Sequence, residues 1–452
     1  MTETSYAVRI WKLQVRKNQH GKVTSYRARW EVAGQTRQET FKTKAQAESF
    51  RAELLSAARK GEAFDIASGL PISVTRSTED RSWFDFACDF VDMKWRDTSP
   101  GQRKSTADSL APISAAMLTT NRGAPARKTL NQAFRIAFNP STRSQEQPPE
   151  IKQALKWITD HSRNVSDLRK PDVLRDVLGA LDLKQDQTRA APDTVRLRRT
   201  TLTNAIHYAI ERKLLTSNPL QEIKVRRHGT TLKQVDRRVV ANPVQARTLL
   251  AAVDERVPRL TAFFALMYFA ALRPEEVTNL RKRNLSLPQE GWGELHLERA
   301  TPEIGEEWTD SRTASEERSL KHRNDDVGRT VPCSPELTAF LHRHLERFGT
   351  APDGRLFWGR RNGGRLSSTV YGRAWAKARA DAFTAEVAAT QLAKRPYDLR
   401  HAAVSTWLNA GVEPTRVAEW AGHSVHVLLR VYAKCVDGGE QEARARIDRA
   451  LG

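Results

Sequence analysis

A run of apolar residues from Leu260 to Leu272 places the strongest constraint on the fold. It reads LTAFFALMYFAAL, and Arg273 ends it as the first charge. The run is too short to cross a membrane, so it predicts a helix buried inside a domain. An arginine at the end of a buried helix is costly unless it is paired or used, and Glu276 lies three residues later, where it can hold the guanidinium.

The charge balance indicates what such a chain binds. The chain has 452 residues, with 74 Lys and Arg against 53 Asp and Glu, a formal net charge of +21 and a pI near 10.2. Its length predicts about two to four domains. Because no apolar run approaches membrane length, the partner of so basic a chain is predicted to be nucleic acid rather than a membrane.

Cysteine usage and the N-terminus bear on location and cofactors. The three cysteines, Cys88, Cys333 and Cys435, are scattered along the chain. They suggest neither a zinc cluster nor a disulfide framework, and the polar N-terminus has no signal-peptide core, so we expect a cytoplasmic protein. The sequence has no P-loop and no carboxylate cluster, so we expect no cofactor and no metal.

Residues 1–65 are predicted to form a small domain of three strands and one helix. Alternating patterns mark strands at 6–15, 26–32 and 35–41, and Thr43 is a helix cap. Cations alternate along these strands with Trp11 and Trp30; they are Arg9, Lys12, Arg27, Arg29 and Arg37. We expect the tryptophans in the core and the cations on a face that enters a DNA groove, the alternative being a solvated face.

Two further domains follow, each after a linker. A linker rich in Gly, Pro, Ser and Thr at 63–80 precedes an all-helical pattern at 80–228, whose last long helix carries Arg196, Arg198 and Arg199. These arginines either follow DNA phosphates or are merely solvated. The second linker is basic and includes Arg226, Arg227, Arg237 and Arg238; it is part of a DNA clamp, a flexible tether, or both. The last domain spans 240–452.

Four residues of the last domain indicate a chemical site: Tyr397, Arg400, His423 and Tyr432. Pro396 begins a helical pattern that places Arg400 in a first turn, where backbone donors favour an anion. Gly422 stops the next helix, which leaves His423 exposed at a helix C-terminus. Tyr432 is a candidate nucleophile, because basic residues flank it in the sequence.

The chemistry that combines these groups is attack on a phosphodiester. A phenol has an ordinary pKa of about 10, so attack at neutral pH needs either proton removal or a pKa lowered by neighbouring cations. The attack builds negative charge on the phosphate oxygens, which Arg400 and Arg273 can stabilise. Lys321 lies before the turn of a predicted hairpin, between LKHR and RTVP, where it can protonate the leaving 5′ oxygen.

This order of residues resembles the catalytic domain of the tyrosine recombinase, or phage integrase, family, through the patterns ALRPEE, LKHR, RTVP, YDLRH, AGHS and RVYAK. The resemblance implies that Tyr432 forms a 3′-phosphotyrosyl link while Arg273 and Arg400 clamp the scissile phosphate. It further implies that Lys321 is the general acid, that His423 bonds the phosphate, and that Glu276 supports them.

The resemblance also implies a fold and an assembly. The fold is multidomain α+β: an N-terminal arm-type DNA-binding domain, an all-helical core-binding domain, and a mainly helical catalytic domain with a small antiparallel sheet. The tail at 437–452 is predicted to form an amphipathic helix that docks on a neighbouring protomer. No function is assigned to the polar insertion at 305–318.

Tyr397 departs from the family pattern, which most often has a histidine at this position. A phenol donates a hydrogen bond to phosphate but accepts a proton poorly at neutral pH. We expect His401, one position after Arg400, to face away from the site, a compensating role being the alternative.

Three functions remain open on the sequence. The first is a site-specific integrase that acts as a tetramer on double-stranded DNA attachment sites, with an excision accessory protein as a candidate partner. The second is a type IB topoisomerase that relaxes DNA by the same chemistry. The third is a DNA-binding regulator that has lost catalysis.

Overall fold

The computed structural model describes residues 3–17, 23–72, 81–184, 186–223, 234–320, 328–359, 363–432, 435 and 440–451. The chain divides into two compact units, Met1–His228 and Gly229–Gly452. Both units contain helices and short antiparallel strands, in agreement with the α+β class expected from the sequence.

The first unit begins with a small sheet covered by one helix. Its strands are β2 (Val8–Ile10), β3 (Gln14–Lys17), β4 (Val23–Val32) and β5 (Gln35–Phe41), and its helix is α1 (Lys44–Arg59). Strands β1 (Thr4–Ser5) and β6 (Phe64–Asp65) pair with each other as a separate two-stranded sheet. Strand β4 is central, with β5 along one edge and β2 and β3 sharing the other. The first predicted strand is therefore interrupted at 11–13, whereas Thr43 caps α1 as expected by accepting from the Gln46 amide.

The remaining elements that the structure describes in the first unit are helices, as the periodicity predicted. They are α2 (Trp83–Trp95), α3 (Pro100–Ala116), α4 (Arg127–Ala137), α5 (Pro140–Arg143), α6 (Pro149–His161), α7 (Pro171–Leu181) and α8 (Pro192–Glu211), with 3₁₀ turns at Val165–Arg169 and Pro219–Gln221. Most of these helices begin at a proline, whose fixed φ suits a first helical turn and whose missing N–H costs nothing there.

In its described part, the second unit combines helices with a three-stranded and a two-stranded antiparallel sheet. Its helices are α9 (Pro243–Arg256), α10 (Thr261–Phe269), α11 (Pro274–Val277), α12 (Pro335–Phe348), α13 (Ser368–Ala382), α14 (Ala385–Ala389), α15 (Asp398–Asn409), α16 (Pro414–Ala421), α17 (Val425–Tyr432) and α18 (Glu440–Leu451). Its strands are β7 (Leu285–Ser286), β8 (Gly293–Leu297), β9 (Arg299–Ala300), β10 (Arg318–Ser319) and β11 (Arg329–Cys333). Three 3₁₀ turns lie at Arg237–Val239, Pro258–Leu260 and Lys282–Asn284.

One sequence prediction about this unit is corrected. The apolar run is buried, but its helix ends at Phe269 rather than Leu272, since Ala271 has a left-handed φ of 52° that turns the chain. The predicted hairpin around Lys321 lies mostly outside the described residues, so only the pairing of the flanking strands is described. Strand β11 pairs with β8, and β10 pairs with β9.

Arg379, a buried residue of α13, binds backbone carbonyls at the C-terminal end of α14. Arg379 donates from Nε to the Leu392 carbonyl at 2.7 Å, from Nη1 to Ala388 at 2.6 Å and from Nη2 to Thr390 at 2.9 Å. These carbonyls follow or end a short helix, so they have no partner within it. One side chain thereby satisfies several acceptors that would otherwise be buried and unpaired.

Replacing Arg379 with methionine keeps most of the side-chain length but removes every donor. We expect Arg379→Met to lower the free energy of unfolding by about 2–4 kcal/mol, because several carbonyls lose their partner. Urea unfolding followed by tryptophan fluorescence measures it. Arg373→Met, an exposed position on the same helix, should change stability by less than about 0.5 kcal/mol. Equal effects of the two changes would contradict this role of Arg379.

Candidate active site

Three helix ends of the second unit bring the predicted site residues together. Arg400 lies in the first turn of α15, and Tyr432 is the last residue of α17. Gly422 ends α16 with a left-handed φ of 64°, as predicted, and His423 follows it. A Cβ at Gly422 would lie 2.8 Å from Arg329 Nη1. Both the backbone conformation and the close approach therefore require glycine before His423.

A buried carboxylate joins two arginines at the centre of the site. Glu276 is 1% exposed and accepts from Arg273 Nη1 at 2.8 Å and from the Arg273 amide at 2.8 Å. Arg329 binds the same carboxylate through both terminal nitrogens, each at 2.8 Å. Burial alone would raise the pKa of Glu276, but the charges and hydrogen bonds of Arg329 and Arg273 outweigh it and hold the pKa well below its usual range.

Arg329 is a site residue that the sequence reasoning missed. No role was predicted for it from the sequence, whereas it is 5% exposed and also donates from Nε to the Trp420 carbonyl at 3.0 Å. It is the first residue of β11, so it fixes that strand to Glu276 and to the end of α16. Its local sequence carries no signal for this contact, because both partners are distant in the chain.

Arg400 is fully buried and connects the ends of two helical segments. Its Nη1 donates to the Ala271 carbonyl and its Nη2 to the Ala421 carbonyl, while Nη2 also lies 2.9 Å from His423 Nε2. Its Nε is buried without a hydrogen-bond partner in the described part of the chain. Burial lowers the pKa of Arg400, and the nearby charge of Arg273 lowers it further.

His423 differs from the exposed residue expected at a helix end. It is partly buried, and burial together with Arg400 and Arg273 lowers its pKa to about 3. Arginine only donates, so Nε2 must accept from Arg400, and we assign the proton of this neutral imidazole to Nδ1. Among the described residues, Nδ1 has no partner. His423 thus presents one unused neutral donor.

The depressed pKa of His423 predicts a dependence of stability on pH. The unfolded residue takes up a proton near its ordinary value of 6.5, while the folded residue stays neutral to about 3. The stabilisation is therefore complete above pH 6.5 and is lost as the pH falls toward 3, by up to about 1.4 kcal/mol per pH unit. Urea unfolding should show that the free energy of unfolding depends less steeply on pH in His423→Gln than in the wild type. His426→Gln, a change at an exposed position, should keep the wild-type pH dependence, and the same pH dependence in both variants would contradict the assignment.

Tyr432 is paired with a residue that the sequence misassigned. The prediction that His401 faces away is wrong: its Nδ1 lies 2.9 Å from Tyr432 Oη, so the compensating role is the alternative that remains. Tyr432 is 1% exposed, and burial raises its pKa above the ordinary value despite the charge of Arg400. The neighbouring cations therefore do not bring the pKa of this phenol below its ordinary value, which favours the alternative in which attack needs removal of the phenolic proton.

Tyr397 lies beside this pair. Its ring centroid is 5.1 Å from that of His401, and the Arg400 guanidinium carbon is 6.0 Å from the Tyr397 ring. Tyr397 therefore borders both residues, whereas the hydrogen bond to the candidate nucleophile comes from His401. Lys321, the predicted general acid, lies outside the described residues.

The cations of the N-terminal sheet separate onto two faces. Arg9 of β2 lies directly opposite Glu31 of β4 in the strand register, so the two side chains are on the same face. Arg27 and Arg29 are four and two residues before Glu31 on β4, which places them on that face as well. The ring of Trp11 lies 5.8 Å from the Arg9 guanidinium and 5.4 Å from that of Arg29. Trp30 is buried, as expected, but Trp11 belongs to the cationic face, which corrects the prediction for that residue.

Arg37 and Lys12 differ from that set. Arg37 lies opposite the buried Trp30, and its Nη2 donates to the Ile66 carbonyl at 3.0 Å, so it is on the other face of the sheet. The prediction that it shares the cationic face is wrong, since the strand register gives it the parity of the core residues. Lys12 is exposed in the interruption between β2 and β3.

The arginines of α8 are only partly available to a ligand. Arg196 is exposed, but Arg198 donates to the carbonyls of Leu181 at 2.9 Å and Leu183 at 2.6 Å. Arg199 pairs with Asp182 at 3.3 Å. Both therefore bind the C-terminal end of α7, where a positive charge is stabilised by the helix dipole. Arg198 also lines an open groove in this helical region, together with Arg127, Lys128, Arg135 and Lys184.

The second linker is described only in part. Arg226 and Arg227 lie outside the described residues, and Arg238 pairs with Asp236 at 2.6 Å at the surface. The Val235 amide donates to the Val431 carbonyl at 2.8 Å, next to the candidate nucleophile. In the ranges that the structure describes, no helix is long and apolar enough to span a membrane, and no cluster of His, Cys, Asp and Glu is arranged to hold a metal ion.

Comparisons with known proteins identify the class to which this site belongs. Residues 240–437 match the phage integrase family, which covers every site residue described above in the second unit. This region of the second unit therefore has the sequence pattern of that family, the tyrosine recombinases. Enzymes of the family cleave and rejoin DNA strands with a tyrosine nucleophile.

The chain also matches solved structures at low sequence identity. The Tn1549 transposon integrase in complex with a circular intermediate DNA is 15% identical, with a TM-score of 0.48, over 72% of this chain and 98% of that one. A lambda integrase dimer bound to a core site is 14% identical, with a TM-score of 0.45, over 94% of each chain. The XerH recombinase is 11% identical, with a TM-score of 0.43, over 76% and 94%. No curated protein sequence matches this chain.

Proposed function

We propose that this protein is a site-specific DNA integrase that cuts and rejoins DNA through a 3′-phosphotyrosyl intermediate on Tyr432, and so integrates or excises a mobile element. The observation that supports this most strongly is the convergence of Arg273, Arg400 and His423 around a buried tyrosine within the family domain. Only a reaction at a strongly anionic centre makes use of so many donors around one phenol.

Each of these groups has a part in the proposed reaction, and the described contacts support that part. Arg273 and Arg400 carry fixed positive charge, because Glu276 orients the first and backbone carbonyls orient the second. Preorganised donors of this kind stabilise charge that develops on the phosphate without having to reorient during the reaction. Among the described residues, Arg400 Nε and His423 Nδ1 are two buried donors without an acceptor, which a phosphate oxygen would supply.

The phosphoryl group is retained throughout. Tyr432 Oη bonds to phosphorus while the bond to the 5′ oxygen breaks, and the freed 5′ hydroxyl of a second strand later attacks the phosphotyrosine. Because the phosphotyrosyl link retains the energy of the broken bond, no nucleotide hydrolysis is required for rejoining. Lys321 is proposed to protonate the leaving oxygen.

The rest of the proposal concerns DNA and assembly. We propose that residues 1–65, 80–228 and 240–452 are three DNA-contacting domains, that four protomers act together on attachment sites in the cytoplasm, and that an excision accessory protein takes part. The net charge of +21 and the face formed by Arg9, Arg27 and Arg29 support a polyanionic partner. The exposed Ile447 and Leu451 of α18 leave an apolar face for contact between protomers.

A covalent-capture experiment tests the proposal. Random-sequence duplexes are enriched for binding to the full chain, and the enriched duplex is then prepared as a set of substrates with a single nick at each successive position. A nick just beyond the cleavage point releases a short strand, so the adduct cannot be resealed. We expect one nick position to give an adduct that survives denaturation, and mass spectrometry to locate the nucleotide on Tyr432.

Other outcomes would favour the other two functions. Relaxation of supercoiled plasmid at many unrelated sequences would indicate a topoisomerase. Tight binding to the enriched duplex without an adduct at any nick position would reject the recombinase and leave a DNA-binding regulator.

A further inference from the structure

We propose that His401 is the general base of this site: its Nδ1 takes the proton from Tyr432 when the phenol attacks phosphorus, and returns it when the strand is resealed. The inference rests on the proposed function and adds a catalytic residue to it. The hydrogen bond of 2.9 Å between Nδ1 and Tyr432 Oη carries the argument. A base within this distance needs no rearrangement to accept the proton.

The surroundings of Tyr432 make a base necessary. The phenol is 1% exposed, and burial keeps its pKa above that of an ordinary tyrosine. It is therefore uncharged at neutral pH, and a neutral phenol is a weak nucleophile. Bulk water cannot serve as the acceptor for an oxygen so well enclosed. The proton must pass to a side chain that already touches it.

The other candidates near the phenol are unsuitable. Tyr397 is itself a phenol, which accepts a proton poorly. His423 lies with its ring 6.1 Å from that of Tyr432, and its Nε2 is occupied by Arg400. A pKa lowered to about 3 also makes His423 a very weak base. His401 is the imidazole whose nitrogen is already in contact with the hydroxyl.

The position of His401 in the helix explains how it replaces the usual residue. Tyr397 begins the first turn of α15, and His401 lies one turn later, so both rings border the same space. The titratable groups near His401 include Tyr397 on its own helix, His423 after α16, and Tyr432 on α17. The proton acceptor is thus His401, one helical turn after the position where the family most often has a histidine. Tyr397 still places an aromatic ring at that position.

The proton balance of the step is complete. In cleavage, the Tyr432 oxygen bonds to phosphorus, its proton moves to His401 Nδ1, and the bond to the 5′ oxygen breaks as that oxygen receives a proton from the general acid. In rejoining, a 5′ hydroxyl attacks phosphorus, and protonated His401 returns its proton to the departing Tyr432 oxygen. One imidazole therefore acts as base in one direction and as acid in the other.

The test compares single-turnover cleavage of the enriched, nicked duplex by the full wild-type chain and by His401→Asn. The asparagine amide oxygen can still accept a hydrogen bond from Tyr432 but cannot take its proton. We expect cleavage to slow by about 100- to 10,000-fold. The acid side of the pH–rate profile, where the wild type loses activity as His401 becomes protonated, should disappear. His426→Asn, an exposed histidine on α17, should cleave at the wild-type rate with an unchanged profile.

A second substrate separates a base from an acid. When sulfur replaces the bridging 5′ oxygen, the leaving thiolate needs no proton, so a variant that lacks the general acid regains cleavage. We expect His401→Asn to stay slow on this substrate. Recovery there, or a wild-type rate and profile on the ordinary duplex, would overturn the proposal for His401. Failure of the wild type to form any adduct would instead reject the integrase, and duplex binding with unchanged circular dichroism shows that His401→Asn is folded.

Discussion

Tyr432→Phe is expected to abolish covalent capture of DNA and to leave binding of the same duplex within about twofold of the wild type. The substitution removes a single oxygen, and that oxygen is the atom that would bond to phosphorus. The aromatic ring remains in the cluster it forms with Val404, Ala421 and Leu428, so the packing is retained. The hydrogen bond to His401 is lost, at a cost of about 1 kcal/mol. Denaturing electrophoresis measures the adduct, and fluorescence anisotropy measures binding.

Tyr397→Phe is the matched control, because it removes the same atom from a tyrosine that borders the same residues. We expect this variant to form the adduct at a reduced rate, as a phosphate ligand would require. Capture by Tyr432→Phe together with loss of capture by Tyr397→Phe would show that the nucleophile has been misassigned. Loss of DNA binding in Tyr432→Phe would show a structural defect instead.

Local patterns predicted most of the secondary structure correctly, for reasons that are themselves local. Prolines mark the first turns of α3, α7 and α8, and Gly422 marks the end of α16, since each satisfies a backbone requirement within a few residues. The break at Ala271 was not predictable in this way. An alanine has no preference for a left-handed conformation, and the turn is held by contacts with distant residues such as Arg400.

The site shows the same division between local and distant determinants. Helix ends placed Arg400 and His423, because periodicity and a glycine stop are visible in the sequence. The contacts of His401 and Arg329 were missed, since each depends on a partner 31 or 53 positions away in the chain. The exposure of His423 was misjudged for a related reason: the helix end is covered by the buried arginines, which the pattern of one segment does not reveal.

Glu276 is therefore more than an orienting partner for one arginine. It binds Arg273, which directly precedes α11, and Arg329 of β11. Both arginines also donate to carbonyls at the end of α16: Arg273 to that of Gly422 at 2.8 Å and Arg329 to that of Trp420 at 3.0 Å. The carboxylate thus links the strand, the turn that bears Arg273, and the segment that bears His423. Removing its charge leaves two buried cations without a counterion.

Glu276→Gln is expected to lower the free energy of unfolding by about 3–5 kcal/mol and to slow adduct formation even where the chain remains folded. The amide keeps the shape of the side chain but presents N–H groups to arginine donors, and Arg273 loses its fixed orientation. The effect should be largest at neutral pH. The folded-state pKa of Glu276 lies below the model-peptide value of 4.5, so the stabilisation is present above that pH and lost as the pH falls further. Urea unfolding measures stability, and Glu275→Gln on the same turn should change it by less than about 1 kcal/mol. A Glu276→Gln variant as stable as the Glu275→Gln control would show that this carboxylate does not hold the site together.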